Sequence, residues 1–220
     1  MSESQLTATR FIERLDSLPS PAGRPRMGDI FALADEFIDL PLREIGKLLD
    51  SDSHEARVGA LNIMGKQATS KSASDGVRKQ LFELYLSRTD RINTWDLVDL
   101  SAHKVVGGYL LDKPRDDLYR LARSDNWWER RIAMFTTMAF VRVGDLDDTF
   151  ALAEILVNDG HDLVQKVVGG MVREAGKRDR ERLLSFLDRH AATSPRVLLR
   201  YAIEHLEPDQ RAHYLSLGRR

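Results

Sequence analysis

The 220-residue sequence contains no cysteine, which excludes disulfides, thiolate metal sites, iron–sulfur clusters and a cysteine nucleophile. No apolar run approaches the ~18 residues that a membrane-spanning helix needs. The opening residues, MSESQLTATRF, lack the basic and apolar regions of a secretory signal. These absences predict a cytoplasmic protein that does not enter a membrane.

Several catalytic signatures are also missing. The six histidines never stand in His-x-x-x-His spacing, so no metal site is expected. The sequence has neither a Gly-x-x-x-x-Gly-Lys-Ser/Thr phosphate loop nor a Gly-x-Ser-x-Gly nucleophile elbow. The net charge of −1 argues against a globally basic nucleic-acid binder, but 33 Lys and Arg against 34 Asp and Glu leave room for one basic face.

The signal that is present is helical. Apolar residues recur three and four positions apart, and no sustained strand alternation or hairpin turn occurs. Short polar breaks repeat at spacings of 38, 35, 34 and 35 residues, counted from Asp52, Asp90, Asp125, Asp159 and Ser194. A period near 35 that holds two helices predicts an all-α, HEAT-like α-solenoid of antiparallel helix pairs. An irregular all-α domain is the alternative.

The proline-rich segment PSPAGRPRMG, residues 19–28, cannot continue a helix. We therefore expect an N-terminal helix from about Ser4 to Leu18, followed by a loop. Residues 1–27 are interpreted as this helix and loop, and residues 28–220 as the repeat region, within a single structural domain.

The segment TWDLVD holds the first candidate site. Trp95 and Asp99 lie four apart and therefore share one face of a helix, with Asp96 beside them. One interpretation makes Trp95 a core anchor and Asp96 a partner of the helix dipole. The other is a site that stabilises positive charge through a carboxylate and an aromatic face.

Two further segments offer basic residues. In SDNWWERR one tryptophan is expected in the core, and Arg130 and Arg131 point about 100° apart on a helix. In QKVVGGMVRE, Lys166, Gly170 and Arg173 form one stripe at i, i+4 and i+7. That stripe suits a phosphate backbone or, alternatively, a solvated face with a tight helix contact at the glycines.

Taken in order, TWDLVD, SDNWWERRIAM, QKVVGGMVREAGK and SPRVLLRYAIEHL resemble the AlkD-type bacterial DNA alkylation-repair glycosylases, and HEARVGALNIMGKQA resembles their second repeat. The resemblance spans roughly residues 28–207. It implies a solenoid with a concave groove for double-stranded DNA that contains alkylated bases. It also implies excision of cationic N3- and N7-alkylpurines without a metal or organic cofactor.

Carried over by position, the resemblance implies a catalytic aspartate at Asp99 and a groove tryptophan at Trp95. It implies DNA contacts at Arg131 and Arg173. The family's second groove tryptophan falls on Gly170, where this chain departs from the pattern. Lys166 and Arg130 complete the expected set of DNA-binding residues.

The sequence thus predicts a monomeric N-glycosylase that acts on alkylated purines in bacterial nucleoid DNA. Asp99 and Trp95 would stabilise an oxocarbenium-like transition state. Two alternatives stay open, because a fold alone does not set function. One is a non-catalytic solenoid that recognises distorted or branched DNA, and the other is a protein–protein scaffold.

Overall fold

The computed structural model describes residues 6–20 and 23–217. Helices and turns make up the secondary structure of this described part, and no strand occurs in it. The helices are α1 (Ala8–Asp16), α2 (Met27–Glu36), α3 (Leu42–Leu49), α4 (His54–Thr69), α5 (Asp75–Leu86), α6 (Trp95–Leu110), α7 (Asp116–Ala122), α8 (Trp127–Thr136), α9 (Met138–Val143), α10 (Asp147–Leu156), α11 (Asp162–Gly176), α12 (Arg180–His190), α13 (Arg196–Ala202) and α14 (Pro208–Leu217). The predicted all-α fold, consistent with an α-solenoid, is confirmed.

The chain forms two compact units that divide between Tyr109 and Leu110. In the first unit α4 packs against α1, α2, α3 and α5. Its core includes Phe11 and Phe37, whose rings meet edge to face with centroids 5.2 Å apart. Gly59 in α4 makes this packing possible, because a Cβ there would overlap the ring of Phe11.

In the second unit α11 is the central helix and packs against α8, α9, α10, α12 and α13. One side of it is a buried apolar stripe of Val164, Val168 and Val172. Burial of such a stripe is the main force that holds a helix of this length in place.

The repeated polar breaks lie in turns between helices, as expected. They precede α4, α6, α8, α11 and α13. The capping side chains stand a little further along than the counted residues. Ser53 accepts from the amide of Ala56, and Asn126 accepts from the amide of Trp128.

The N-terminal segment differs from its predicted limits. The expected start at Ser4 lies outside the described residues, and the described helix begins at Ala8 with Thr7 as its cap. The segment between the two helices lies two residues earlier than predicted, because α1 ends at Asp16 and α2 starts at Met27 and includes Gly28. The last proline is Pro25, and a glycine in the first turn of a helix does not prevent the helix from starting.

Candidate functional site

Trp95 is the first residue of α6, and its side chain is 58% exposed. The alternative that makes Trp95 a core anchor is therefore wrong. Its indole borders a cleft of about 560 Å³ in the first unit, which we call the Trp95 cleft. The cleft is lined by Arg24, Pro25, Arg26, Met27, Ile30, His54, Glu55, Trp95 and Asp96.

A hydrogen-bond network holds the start of α6. The Oδ2 atom of Asp96 lies 2.8 Å from Nε2 of His54, and the hydroxyl of Thr94 donates to Oδ1 at 2.6 Å. Burial raises the pKa of Asp96, but the hydrogen bonds from Thr94 and His54 outweigh it and leave the pKa below its ordinary value. The network fixes the turn on which Trp95 stands.

His54 is a residue of this site that the sequence motifs do not identify. It is the first residue of α4, and its partner Asp96 lies 42 positions away. The nearby guanidinium of Arg57 donates to the carbonyl of Arg91 and to Oδ1 of Asn93, at 3.3 and 3.2 Å. The first turn of α4 thus supports the segment that leads into α6.

Asp99 follows Trp95 by one helical turn and is half-buried. Its neighbourhood includes Tyr85, which is fully buried, and whose hydroxyl lies 3.3 Å from Oγ of Ser101. Burial raises the pKa of Tyr85, and the negative charge of Asp99 raises it further. Asp99 is therefore a carboxylate at the edge of the apolar core, where water screens its charge less than at the surface.

Arg130 is tied into its own unit. Its Nε donates to Oδ2 of Asp159 at 2.6 Å, and Nη1 donates to the carbonyls of Ser124 and Asp125. The Asp159 side chain is only 4% exposed. The ion pair joins the first turn of α8 to the turn before α11.

Arg131 is buried, with 6% of its surface exposed, and Nη1 donates to the carbonyl of Leu163 at 2.7 Å. This hydrogen bond joins Arg131 to the first turn of α11. A DNA contact by Arg131 stays a prediction.

The two adjacent tryptophans form part of an aromatic stack. Trp127 lies between Trp128 and His161, with ring centroids 3.6 Å apart on both sides. Both tryptophans are partly exposed, so the expectation that one of them is a core residue is wrong. His161 also caps α11, because its Nδ1 accepts from the amide of Leu163 at 3.2 Å.

Lys166, Gly170 and Arg173 lie on α11, and we call them the basic stripe. The Arg173 guanidinium donates to Oε1 of Glu174 at 3.1 and 3.2 Å and is also paired with Glu204. Burial raises the pKa of Glu174, but hydrogen bonds from Lys177 and Arg173 outweigh it and keep the pKa low. Carboxylates thus offset part of the positive charge of the stripe.

The two adjacent glycines of α11 have different surroundings. A Cβ at Gly169 would overlap the carbonyl oxygen of Leu198 and lie 2.7 Å from Cβ of Tyr201. A Cβ at Gly170 would meet nothing within 4 Å. The tight helix contact is therefore at Gly169, and Gly170 faces open space. The letters KVVGG also occur at 104–108 in α6, where Gly108 is open in the same way.

The exposed indole of Trp95 and the half-buried carboxylate of Asp99 share one face of α6 and suit a cationic group. In the described part of the chain, no cluster of three or more His, Asp or Glu side chains is placed to hold a metal ion. No helix in that part is both long and apolar enough to cross a membrane.

The described part of the chain is thus an all-helical protein, consistent with an α-solenoid, in which an exposed aromatic residue stands one turn before a half-buried carboxylate. The chain belongs to the DNA alkylation repair enzyme family, whose sequence model matches residues 25–206. The family predicted from the sequence motifs is thus confirmed, and with it a role in repair of alkylated DNA. A comparison with curated proteins finds no match.

Proposed function

We propose that the protein is an N-glycosylase that excises cationic N3- and N7-alkylated purines from double-stranded DNA. The observation that carries the proposal is the exposed indole of Trp95 one turn before the half-buried carboxylate of Asp99, in a chain of the DNA alkylation repair family. The indole of Trp95 is left uncovered by the described part of the fold, and an exposed aromatic surface is typical of a binding site.

The chemistry follows from the charge of the substrate. The bond between C1′ and the purine nitrogen breaks, and its electron pair leaves with the base, which becomes neutral. The positive charge that leaves the base develops on the deoxyribose as an oxocarbenium ion. Water then forms a bond to C1′ and loses a proton, so the products are a free alkylpurine and an abasic site.

Asp99 has two roles in this scheme. Its carboxylate stabilises the developing positive charge, and this interaction is stronger in the transition state than in the ground state. The same carboxylate orients the attacking water and accepts its proton. The indole of Trp95 adds the attraction of its negative ring face to the cationic sugar.

The basic residues of the second unit divide between two roles in this proposal. Lys166 and Arg173 contact the DNA backbone from the basic stripe. Arg130 and Arg131 also hold the start of α11, since Arg130 pairs with Asp159 in the turn before it and Arg131 donates to Leu163 in its first turn. Their contacts with DNA stay predictions.

One observation favours the non-catalytic alternative. The position at which the resemblance implies a second tryptophan is Gly170, and a side chain there would have open space. The chain therefore has one aromatic residue fewer than the family pattern implies. A protein that binds duplex DNA and releases no base would fit this alternative.

The test is incubation of the purified protein with duplex DNA that carries N7-methylguanine or N3-methyladenine, followed by detection of the free base. We expect release from both lesions and none from the unmodified duplex. Tight binding without release would favour the DNA-binding alternative, and neither binding nor release would favour the scaffold.

A further inference from the structure

The Trp95 cleft contains two arginines that the proposed reaction does not use. Arg24 and Arg26 flank Pro25 in the segment before α2, and both side chains are exposed. The residue before a proline favours extended backbone, and Arg26 itself is extended. In extended backbone, side chains two residues apart point to the same side. This geometry agrees with the presence of both guanidinium groups in one cleft.

These guanidinium groups have no acceptor in the described part of the chain. Within residues 6–20 and 23–217, neither the Arg24 nor the Arg26 side chain donates a hydrogen bond or has a carboxylate within 4.0 Å. Arg14 and Arg88, which are in the same unit, are paired with Glu36 and Asp50 respectively.

The two carboxylates that line the cleft have partners of their own. Asp96 is held by His54 and Thr94, and Glu55 accepts from Oγ of Ser53 at 3.4 Å. The two carboxylates balance the charge of the two arginines within the lining, but neither is ion-paired with them. Both guanidinium groups therefore keep free donors, next to an exposed indole and the apolar side chains of Met27 and Ile30.

The residues of the cleft favour a ligand that carries an anionic group next to a flat, partly apolar group. A guanidinium offers a planar fork of donors that matches two oxygens of a phosphate. The indole suits a sugar or a base next to that phosphate. A deoxynucleotide unit in a DNA strand carries all of these groups, whereas an isolated phosphate would leave the indole and the apolar floor unused.

We propose that Arg24 and Arg26 bind backbone phosphates of the DNA strand whose deoxyribose lies against Trp95. This proposal rests on the proposed function, because that function places the sugar at Trp95. The two arginines hold the strand in the Trp95 cleft and contribute to binding of the duplex, independently of its sequence and of the lesion.

The test compares the Arg24→Gln/Arg26→Gln double variant with Arg43→Gln. Arg43 belongs to the same unit, its side chain is 85% exposed, and it is not part of the cleft. Duplex affinity is measured against salt concentration from about 50 to 200 mM. Each phosphate contact contributes about 0.9 to the slope of log affinity against log salt, so the double variant should lose about 1.8. Arg43→Gln should keep the wild-type slope.

The same variants separate binding from chemistry. In a single turnover with saturating enzyme, the double variant should release base at the wild-type rate. In a separate steady-state measurement at low salt, its KM for the lesion duplex should be roughly tenfold higher than that of the wild type. Equal slopes for the double variant, Arg43→Gln and the wild type would overturn the proposal. Wild-type protein that binds duplex DNA with the expected salt slope but releases no base would instead overturn the glycosylase function alone.

A competition arm distinguishes a DNA strand from a small anion. Inorganic phosphate replaces chloride in the buffer at constant ionic strength. We expect this replacement to leave the affinity of the wild type for the duplex unchanged. Displacement of the duplex from the wild type but not from the double variant would reassign the arginines to a small-anion site and overturn the proposal.

Discussion

The Trp95 cleft and the basic stripe contain similar residue types, but their donors are arranged differently. In the cleft an indole is exposed, and Arg24 and Arg26 have no acceptor among the described residues. In the stripe Arg173 is paired with two glutamates. The difference shows that residue type alone does not identify a ligand site. What matters is whether the fold already satisfies the polar groups.

The largest effect is expected at Asp99, the proposed catalytic carboxylate. Asp99→Asn keeps the shape of the side chain but removes its charge, so excision should slow by a factor of about 10² to 10³. Duplex affinity should stay the same or rise slightly. The control is Asp90→Asn, an exposed residue in the turn before α6. Normal excision by Asp99→Asn would show that Asp99 is not catalytic, and loss of the fold would show a structural role.

The next effect concerns stability in the second unit. Arg130→Ala leaves the nearly buried Asp159 without its ion-pair partner, which should cost about 2 to 3 kcal/mol. In a chain of this length the melting temperature should fall by roughly 5 to 10 °C. The exposed Arg211→Ala is the control. If the Arg130→Ala protein is stable and its DNA affinity depends less steeply on salt, Arg130 contacts DNA and is not a structural residue.

A matched pair of glycine substitutions tests the two sides of α11. Gly169→Ala should destabilise the protein by about 1 to 3 kcal/mol, because its Cβ meets the backbone of α13. Gly170→Ala should be neutral or stabilise by up to about 1 kcal/mol, since alanine favours the helix and the space is open. Chemical denaturation measures both, and equal costs would contradict the described packing.

Gly170→Trp tests whether the basic stripe faces the lesion. A second aromatic contact is worth about 0.5 to 2 kcal/mol, so excision of methyl adducts should rise about 2- to 30-fold. Processing of bulky adducts should fall, because the indole fills the open space. Thermal melting first establishes that the variant folds. If neither rate changes, Gly170 lies outside the site.

The smallest effect is the pH dependence that Asp96 contributes. Its pKa in the folded protein lies below the ordinary value of 3.8. The group therefore binds protons more readily when unfolded, and its stabilisation is present above pH 3.8 and lost as the pH falls through the folded pKa. In Asp96→Asn, the free energy of unfolding should fall less steeply as the pH is lowered into the acid range. An unchanged pH dependence in this range would mean that the His54 contact does not stabilise the fold.

The sequence predicted those parts of the molecule that depend on local pattern. The recurrence of apolar residues three and four positions apart predicted the helices. In α2, for example, Ile30 and Leu33 stand three apart and are both buried. The polar breaks located the turns between helices, because capping residues act on their own first turn. The site residues Trp95 and Asp99 came from helical spacing and from the family motifs.

The contacts around the site could not be predicted from local sequence pattern. His54 meets Asp96 across 42 residues, and Arg131 meets Leu163 across 32. Gly169 and Gly170 are adjacent and identical in type, and only the approach of α13 distinguishes them. Long-range packing of this kind has no signature in a single sequence.

The central claim is that the protein cleaves a glycosidic bond, and the balance of products tests it most directly. N7-methylguanine duplex is incubated with the wild-type protein, and free 7-methylguanine and abasic sites are both quantified. If the protein is a glycosylase, the two products appear in equal amounts and neither forms from unmodified duplex. Restored guanine without abasic sites, or bound duplex with no release of base, would contradict it.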